Sequence, residues 1–560
     1  MSDKNGKKFG QSGNSGLPSG SAAPNGTGRE PAAGGSHGVP GNGKTAEAGN
    51  GGQIGPWIIP VLVALIGAFM SILDSSIVNV AVPTIMSVFN ASTSTVEWVV
   101  TIYMLAMGVV VPLSGWLGDK LGFKRLYIFS MAVFVFGSLL CAMSWSINSL
   151  IVARVIQAMG GGMIMPTTMA MIFRMVPKER IGGGMGVFGI ALLVAPAIGP
   201  TLGGYLVEYV NWRWIFTINL PIGAIGILLS LFLIPEFQTR EAGSLDIGGA
   251  LTSAAGLFCL LLALSKGADW GWHSESITLL LYASAICIIL FIYLELTSAN
   301  PLLELRVYRY PTFTMANLMV VITTIGLYAG MFYLPLFLQE VRGLGAMDTG
   351  LLMMPGALTS AVMMPIAGNL YDRFGPRLLA VCGIAALAYM TYVFHGLSLE
   401  TATTTIIYWV MVRGAVIALA NMPAQTAAMA VLPTELVGRG SAMTNIIRQV
   451  ASSFGIAVLT SMMNTRIAVH SAQMATNVTP WNLALNDFFQ KAGAYMGGGA
   501  ISAQVKLLGT AYLEGIVARA AFVKGIDDVF IIAAAVTLFG VIPALFLRND
   551  RGPGVQVTGE

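Results

Sequence analysis

The chain has 560 residues, of which 55% are hydrophobic and only 10% charged, with a mean hydropathy of +0.74 and a formal net charge of +4. Soluble globular chains carry about 25% charged residues, so this one cannot cover a water-facing surface of its size. A chain of several soluble domains is excluded, and a polytopic membrane protein remains.

Residues 1–56 are a different material from the rest. They hold sixteen glycines, many Ser, Asn and Ala, and almost no large apolar side chain. Such a segment buries too little surface to offset its chain entropy, and it reads as a disordered tail rather than a secretory signal. From Trp57 onward, runs of ~20 apolar residues recur, each long enough to cross a bilayer. Spans are expected at 57–82, 96–117, 123–143, 148–172, 184–207, 214–234, 246–266, 276–297, 312–338, 346–370, 377–397, 403–431, 441–463 and 526–547. Fourteen is even, which puts both termini, including the short tail 548–560, on one side. With that side cytoplasmic, the inner loops carry Lys120, Lys124, Arg125, Arg174, Lys178, Arg180, Arg240, Arg306, Arg309, Arg373, Arg377 and Arg439. The short outer loops carry only Arg213, Lys266 and Arg342, and this bias sets the orientation.

Span 1 contains Asp74. A charge in hydrocarbon costs at least ~2.5–3.5 kcal/mol, so its presence there points to function. Proton coupling with a nearby partner is the sharper reading, and a permanent structural ion pair the alternative. Glu97, at the outer end of span 2, reads as simply wet. The loop after span 2 runs Gly115-Trp-Leu-Gly-Asp119-Lys-Leu-Gly122-Phe-Lys124-Arg125. Span 4 carries Arg154, at a depth similar to Asp74. Span 5 carries Pro196, Gly199, Pro200, Gly203 and Gly204, a bendable, close-packing face suited to a gate. The loop after span 10 repeats the earlier one as Gly368-Asn-Leu-Tyr-Asp372-Arg-Phe-Gly375-Pro-Arg377. Both read G-x-x-x-D-[KR]-x-G-x-[KR]. Glycines serve the turn and close helix approach, and the Asp caps a helix or pairs with a base across the bundle. Arg413 in span 12 and Arg448 in span 13 are further intramembrane cations. Segment 464–525 is too interrupted to span; it reads as interfacial or extracytoplasmic, with amphipathic helices near 484–495 and 502–522.

The repeat pairs spans 1–6 (57–234) with spans 9–14 (312–547) around an inserted pair (246–297), the duplicated plan of many secondary transporters. The four cysteines and four histidines are scattered, and no metal, nucleophile–base set or phosphate loop is visible.

On Leu73-Asp74-Ser-Ser-Ile-Val-Asn79-Val-Ala-Val-Pro83, the loop motif, the span 5 run and Trp212-Arg213-Trp214-Ile-Phe-Thr-Ile-Asn219-Leu-Pro221, the chain resembles the major facilitator superfamily. Within it, the likeness is to the fourteen-span drug:proton antiporters of the EmrB/QacA type. The resemblance implies proton coupling at Asp74 with Arg154 of an R-x-x-Q motif ending at Gln157, and an exporter motif at Gly199, Pro200, Gly203 and Gly204. Phe123 and Ala158 depart from the usual pattern. Gating is assigned to Gly115, Asp119, Gly122, Lys124, Arg125, Gly368, Asp372, Gly375 and Arg377. The substrate cavity is assigned to Asn79, Trp98, Tyr103, Gln157, Tyr328, Tyr333 and Arg448. The expected function is export of hydrophobic or amphipathic compounds driven by the proton gradient, with no cofactor. Expected partners are lipid, substrate and protons, and, by resemblance, a periplasmic adaptor and an outer-membrane channel in a bacterial inner membrane. An exporter of one metabolite, lipid or siderophore is the alternative, and a non-transporting scaffold the alternative of another class.

Overall fold

A computed structural model describes residues 57–547, apart from 238, 240–243, 299, 434 and most of 477–502, of which 487, 490 and 491 are described. The two tails and most of the helix expected near 484–495 lie outside the described residues. Those described form helices and short connections, with no strand among them.

The first half comprises α1 (Ile58–Phe89), α2 (Thr93–Val110), α3 (Leu113–Leu121), α4 (Phe123–Ala142), α5 (Ile147–Met175), α6 (Ile181–Tyr209), α7 (Trp214–Thr217) and α8 (Asn219–Leu233). An inserted pair follows, α9 (Ile247–Trp270) and α10 (Glu275–Thr297). The second half holds α11 (Pro311–Leu336), α12 (Ala346–Phe374), α13 (Pro376–Val393), α14 (Thr403–Ala430), α15 (Val437–Ala475), α16 (Ala503–Phe539) and α17 (Val541–Leu545). Thirteen described helices are long and apolar enough to cross a membrane, or fourteen when the bent pair α2–α3 counts as one span. The expected continuous second span is therefore broken. The chain turns by 55° between Val110 and Leu113, where Pro112 has no N–H to continue the helical ladder.

The last two spans also differ from expectation. α15 runs 39 residues and α16 runs 37, about 58 and 55 Å at 1.5 Å per residue. A hydrocarbon core is about 30 Å thick. Much of segment 464–525 is thus the continuation of these two helices, which pack on each other. Asp528 of α16 ties them, accepting from Arg466 Nε and meeting His470 Nε2, both at 2.8 Å.

The internal repeat is visible in the packing. In the first half α1 packs on α5, α6 and α8, α5 on α2 and α4, and α4 on α8. In the second half α11 packs on α14, α15 and α16, α14 on α12 and α13, and α13 on α16. The two sets match element for element. Between the halves α6 lies along α12, and by the same symmetry α15 packs on α3. Beyond α3 the symmetry fails, because α9 packs against both α2 and α15. Leu261 and Leu262 of α9 are buried with Leu105, Trp98 and Ile102 of α2 and Val450 of α15. Lys266, counted above as an outer-loop cation, is buried here and bonds Glu97 of α2, whose side chain stays in contact with solvent.

Candidate functional site

Asp74 is fully buried in the middle of α1. Every group that reaches it is a donor. Arg154 Nη1 of α5 donates to Oδ2 at 2.6 Å. Gln157 Nε2, one turn further along α5, and Asn219 Nδ2 of α8 both donate to Oδ1 at 2.8 Å. The network closes on itself. Arg154 Nη1 also donates to Gln157 Oε1 (2.7 Å) and its Nε to the Val99 carbonyl of α2 (3.2 Å), while Gln157 and Asn219 share Ser138 Oγ of α4. The Tyr103 ring lies over the guanidinium, 3.9 Å from ring centroid to Cζ, a cation–π contact strengthened by the dry surroundings. Five helices thus converge on one carboxylate. Glycines permit it: a Cβ on Gly137 would meet the backbone of Gln157, and one on Gly161 would sit 2.9 Å from the Tyr103 hydroxyl.

The structure brings Asp74, Arg154, Gln157 and Tyr103 together. Asn219 and Ser138 are the members that sequence reasoning missed. Asn219 lay in a quoted stretch without a role, and Ser138 is a lone serine in an apolar run, with no signal to single it out.

The span 5 motif stands beside this cluster. Pro200 has no N–H, so the Pro196 carbonyl one turn back lacks its helical donor, and Ser76 Oγ of α1 supplies one at 3.1 Å. On the same face a Cβ on Gly199 would sit 2.5 Å from Ser76 Oγ, and one on Gly203 3.2 Å from the Ile77 carbonyl. The other face of α6 meets the second half: Pro200 and Thr201 lie against Gly350 of α12, and Gly204 faces Met347. α6 therefore connects the helix carrying Asp74 to the opposite half. Gly199→Val overpacks this joint by about 1–3 kcal/mol. The variant is expected to give less monodisperse protein and a lower midpoint of thermal unfolding, measured by size exclusion and a heat ramp.

The two loop motifs perform parallel tasks at one end of the bundle. Their second glycines, Gly122 (φ +86°) and Gly375 (φ +79°), form the turns between α3 and α4 and between α12 and α13, in a backbone region that other residues rarely enter. Their first glycines are crossing points. Gly115 lies against the Arg439 backbone of α15, and Gly368 against Gly182 of α6. Each aspartate reaches the other half. Asp119 Oδ2 accepts from Arg439 Nε (3.3 Å), and Asp372 Oδ1 accepts from the Gly182 N–H (3.2 Å), capping the start of α6. Arg439 also bonds Glu304, which follows the inserted pair, and Ser441 Oγ donates to the Pro166 carbonyl. Lys124 stays within its own half, donating to the Leu231 carbonyl and pairing with Glu236, while Arg125 makes a long, exposed contact to Glu236. Arg377 is exposed.

The remaining cavity assignments scatter. Asn79 is exposed on α1. Trp98 packs beside α9, and Tyr333 is buried with its hydroxyl 2.8 Å from Thr460 Oγ1. Tyr328 of α11 is hydrogen-bonded to Ser452 of α15 and lies near Arg448. Arg413, the second-half counterpart of Arg154, pairs with no carboxylate among the described residues and donates to the Gly326 and Leu327 carbonyls. Among the described residues no group of three or more His, Cys, Asp or Glu is placed to hold a metal ion.

Comparison with known proteins follows the same lines. A profile of the Major Facilitator Superfamily matches residues 64–456. The chain is 34% identical to the uncharacterized MFS-type transporter YhcA of Bacillus subtilis over 88% of its own length and 93% of the relative's. It is 29% identical to the multidrug export protein EmrB of Haemophilus influenzae over 89% and 97%. The structure of the proton:xylose symporter XylE superposes over 86% of this chain and 94% of that one, with a TM-score of 0.53 at 12% identity, a likeness of fold alone. With its duplicated helical halves, its motif loops and this match over most of its length, the chain belongs to the major facilitator superfamily, and it is a multi-pass membrane transporter, not an enzyme.

Proposed function

We propose that this transporter exports hydrophobic or amphipathic compounds across a bacterial cytoplasmic membrane by alternating access, in exchange for protons, with both termini in the cytoplasm. The observation that carries the reading is the Asp74 network: a carboxylate buried on a membrane-spanning helix, to which Arg154, Gln157 and Asn219 all donate. A proton arriving on Asp74 removes the negative charge that holds Arg154, and α6, packed on α1 two residues away, relays the change to α12. The relative named for multidrug export supports the substrate class. The Lys and Arg bias of the loops supports the orientation, placing the motif loops inside and the projecting ends of α15 and α16 outside. An adaptor and an outer-membrane channel belong to the same reading, with those projecting helices as their surface.

The test is efflux of a dye panel from proteoliposomes with and without an imposed pH gradient. Release is expected to accelerate at least about tenfold when the lumen from which dye leaves is alkaline relative to the bath, and luminal acidification is expected to accompany it. Release indifferent to the gradient overturns the coupling.

A further inference from the structure

Three arginines lie inside the helical bundle, and the structure treats them differently. Arg154 is neutralised by Asp74. Arg413 is engaged by two backbone carbonyls of α11. Arg448, in the first third of α15, has neither. Its Nη2 is enclosed by protein yet has no hydrogen-bond partner, and no carboxylate among the described residues pairs with it. Tyr328 of α11 lies near it, with its hydroxyl hydrogen-bonded to Ser452 one turn further along α15. Gln449, its neighbour in sequence, meets Gly108 of α2. Arg448 therefore stands at the junction of the two halves rather than against lipid.

Arg448 is half-buried, and a guanidinium partly withdrawn from water without a counter-charge is unfavourable. A merely structural side chain at this position is served better by methionine or leucine. The cost is offset when an anion arrives, because charge-assisted bonds to a guanidinium strengthen as water is excluded.

We infer that Arg448, with the Tyr328 hydroxyl as a second donor, is the recognition point for the acidic group of the exported compound, so that the substrate class is the amphiphile with one carboxylate or sulfonate on an apolar body. This deepens the export reading and rests on it. Asp74 and Arg448 then divide the work, the first half handling the proton and the second the anion. A charge consequence follows: an anion leaving and protons entering move charge in the same electrical direction.

The experiment uses the full chain in proteoliposomes with dansylglycine, which carries a carboxylate, and dansylglycinamide, its neutral counterpart. The acid is expected to show a KM at least about tenfold lower than the amide. R448Q is expected to erase that ratio by raising KM for the acid alone, while R448K keeps part of it. Independently of any variant, each cycle with the acid is expected to move one more elementary charge than each cycle with the amide, read as the dependence of rate on an imposed potential. An unchanged acid-to-amide ratio in R448Q, or equal charge movement for the two probes, overturns the assignment. If R448Q does not yield folded protein, the charge comparison and direct fluorescence titration of the wild type decide, and no preference for the acid overturns it. Should the amide be exported on a pH gradient and the ratio stay at one, the inference alone fails. Should neither probe nor the dye panel respond to the gradient, the export reading fails with it.

Discussion

Asp74→Asn is expected to reduce proton-linked export to about 1% of wild type or less. The reason lies in the sign of the contacts. Arg154, Gln157 and Asn219 all donate to the carboxylate, whereas an asparagine presents one acceptor and one donor. In either orientation of the amide a donor faces a donor, and the Arg154 charge loses its partner in a site closed to bulk solvent. Removing one member of a buried pair typically costs about 3–5 kcal/mol, so part of the loss will be in folded protein. The decisive measurement is thus made per folded molecule: luminal pH change on adding substrate to proteoliposomes. A second variant separates structure from transport. Asp74→Asn with Arg154→Gln removes both charges, and it is expected to recover folded protein while export stays absent. Recovery of proton-linked export in that double variant would show that the pair is only a structural tie.

The second large effect is expected at Arg439. This side chain joins Asp119 of the first half to Glu304 beside the inserted pair, and the Gly115 crossing lies against its backbone. Arg439→Ala removes both bonds at the end where the halves meet. Asp119 retains Arg174, 3.9 Å away, so the motif loop is not stripped of charge compensation. The change acts on the balance between conformations, where coupling energies of about 1–3 kcal/mol correspond to about 5–150-fold. The expected outcome is a shift of that size toward the form open at the motif-loop end. It would be read as faster labelling of a cysteine introduced on α3, with a parallel fall in export. Unchanged labelling would mean that the Gly182–Asp372 cap and the Ser441–Pro166 contact suffice to hold this end closed.

The parts of the molecule that sequence reasoning reached are those where placing a residue is expensive. Asp74 and Arg154 stood out because a charge in an apolar run has to be explained, and the structure joins them directly. The loop motif stood out because it occurs twice, and its glycines fall at the turns and crossings. Neutral polar residues carry no such signal, since serine and asparagine enter helices at little cost; Ser138 and Asn219 were therefore overlooked. The surroundings of Trp98 are hidden from the sequence for another reason. The face of a helix that lines a cavity depends on its neighbours, and nothing in the linear order shows that α9 comes to rest against α2. Hydropathy likewise understated α15 and α16, because it reports contact with lipid rather than helicity. Their polar extensions look like loop to such a measure although the backbone continues unbroken.

The position of α9 has an implication for how a molecule dissolved in the bilayer reaches the interior. A duplicated bundle has two seams where its halves meet, and with perfect duplication both would be equivalent doorways from the lipid. Here α6 and α12 cross through glycines along one seam, and α9 plugs the other. The two sides of the protein therefore present different barriers to a lipophilic guest: along one seam backbones meet at glycines, while the other is filled by leucine side chains of α9 and ends in the Lys266–Glu97 bond.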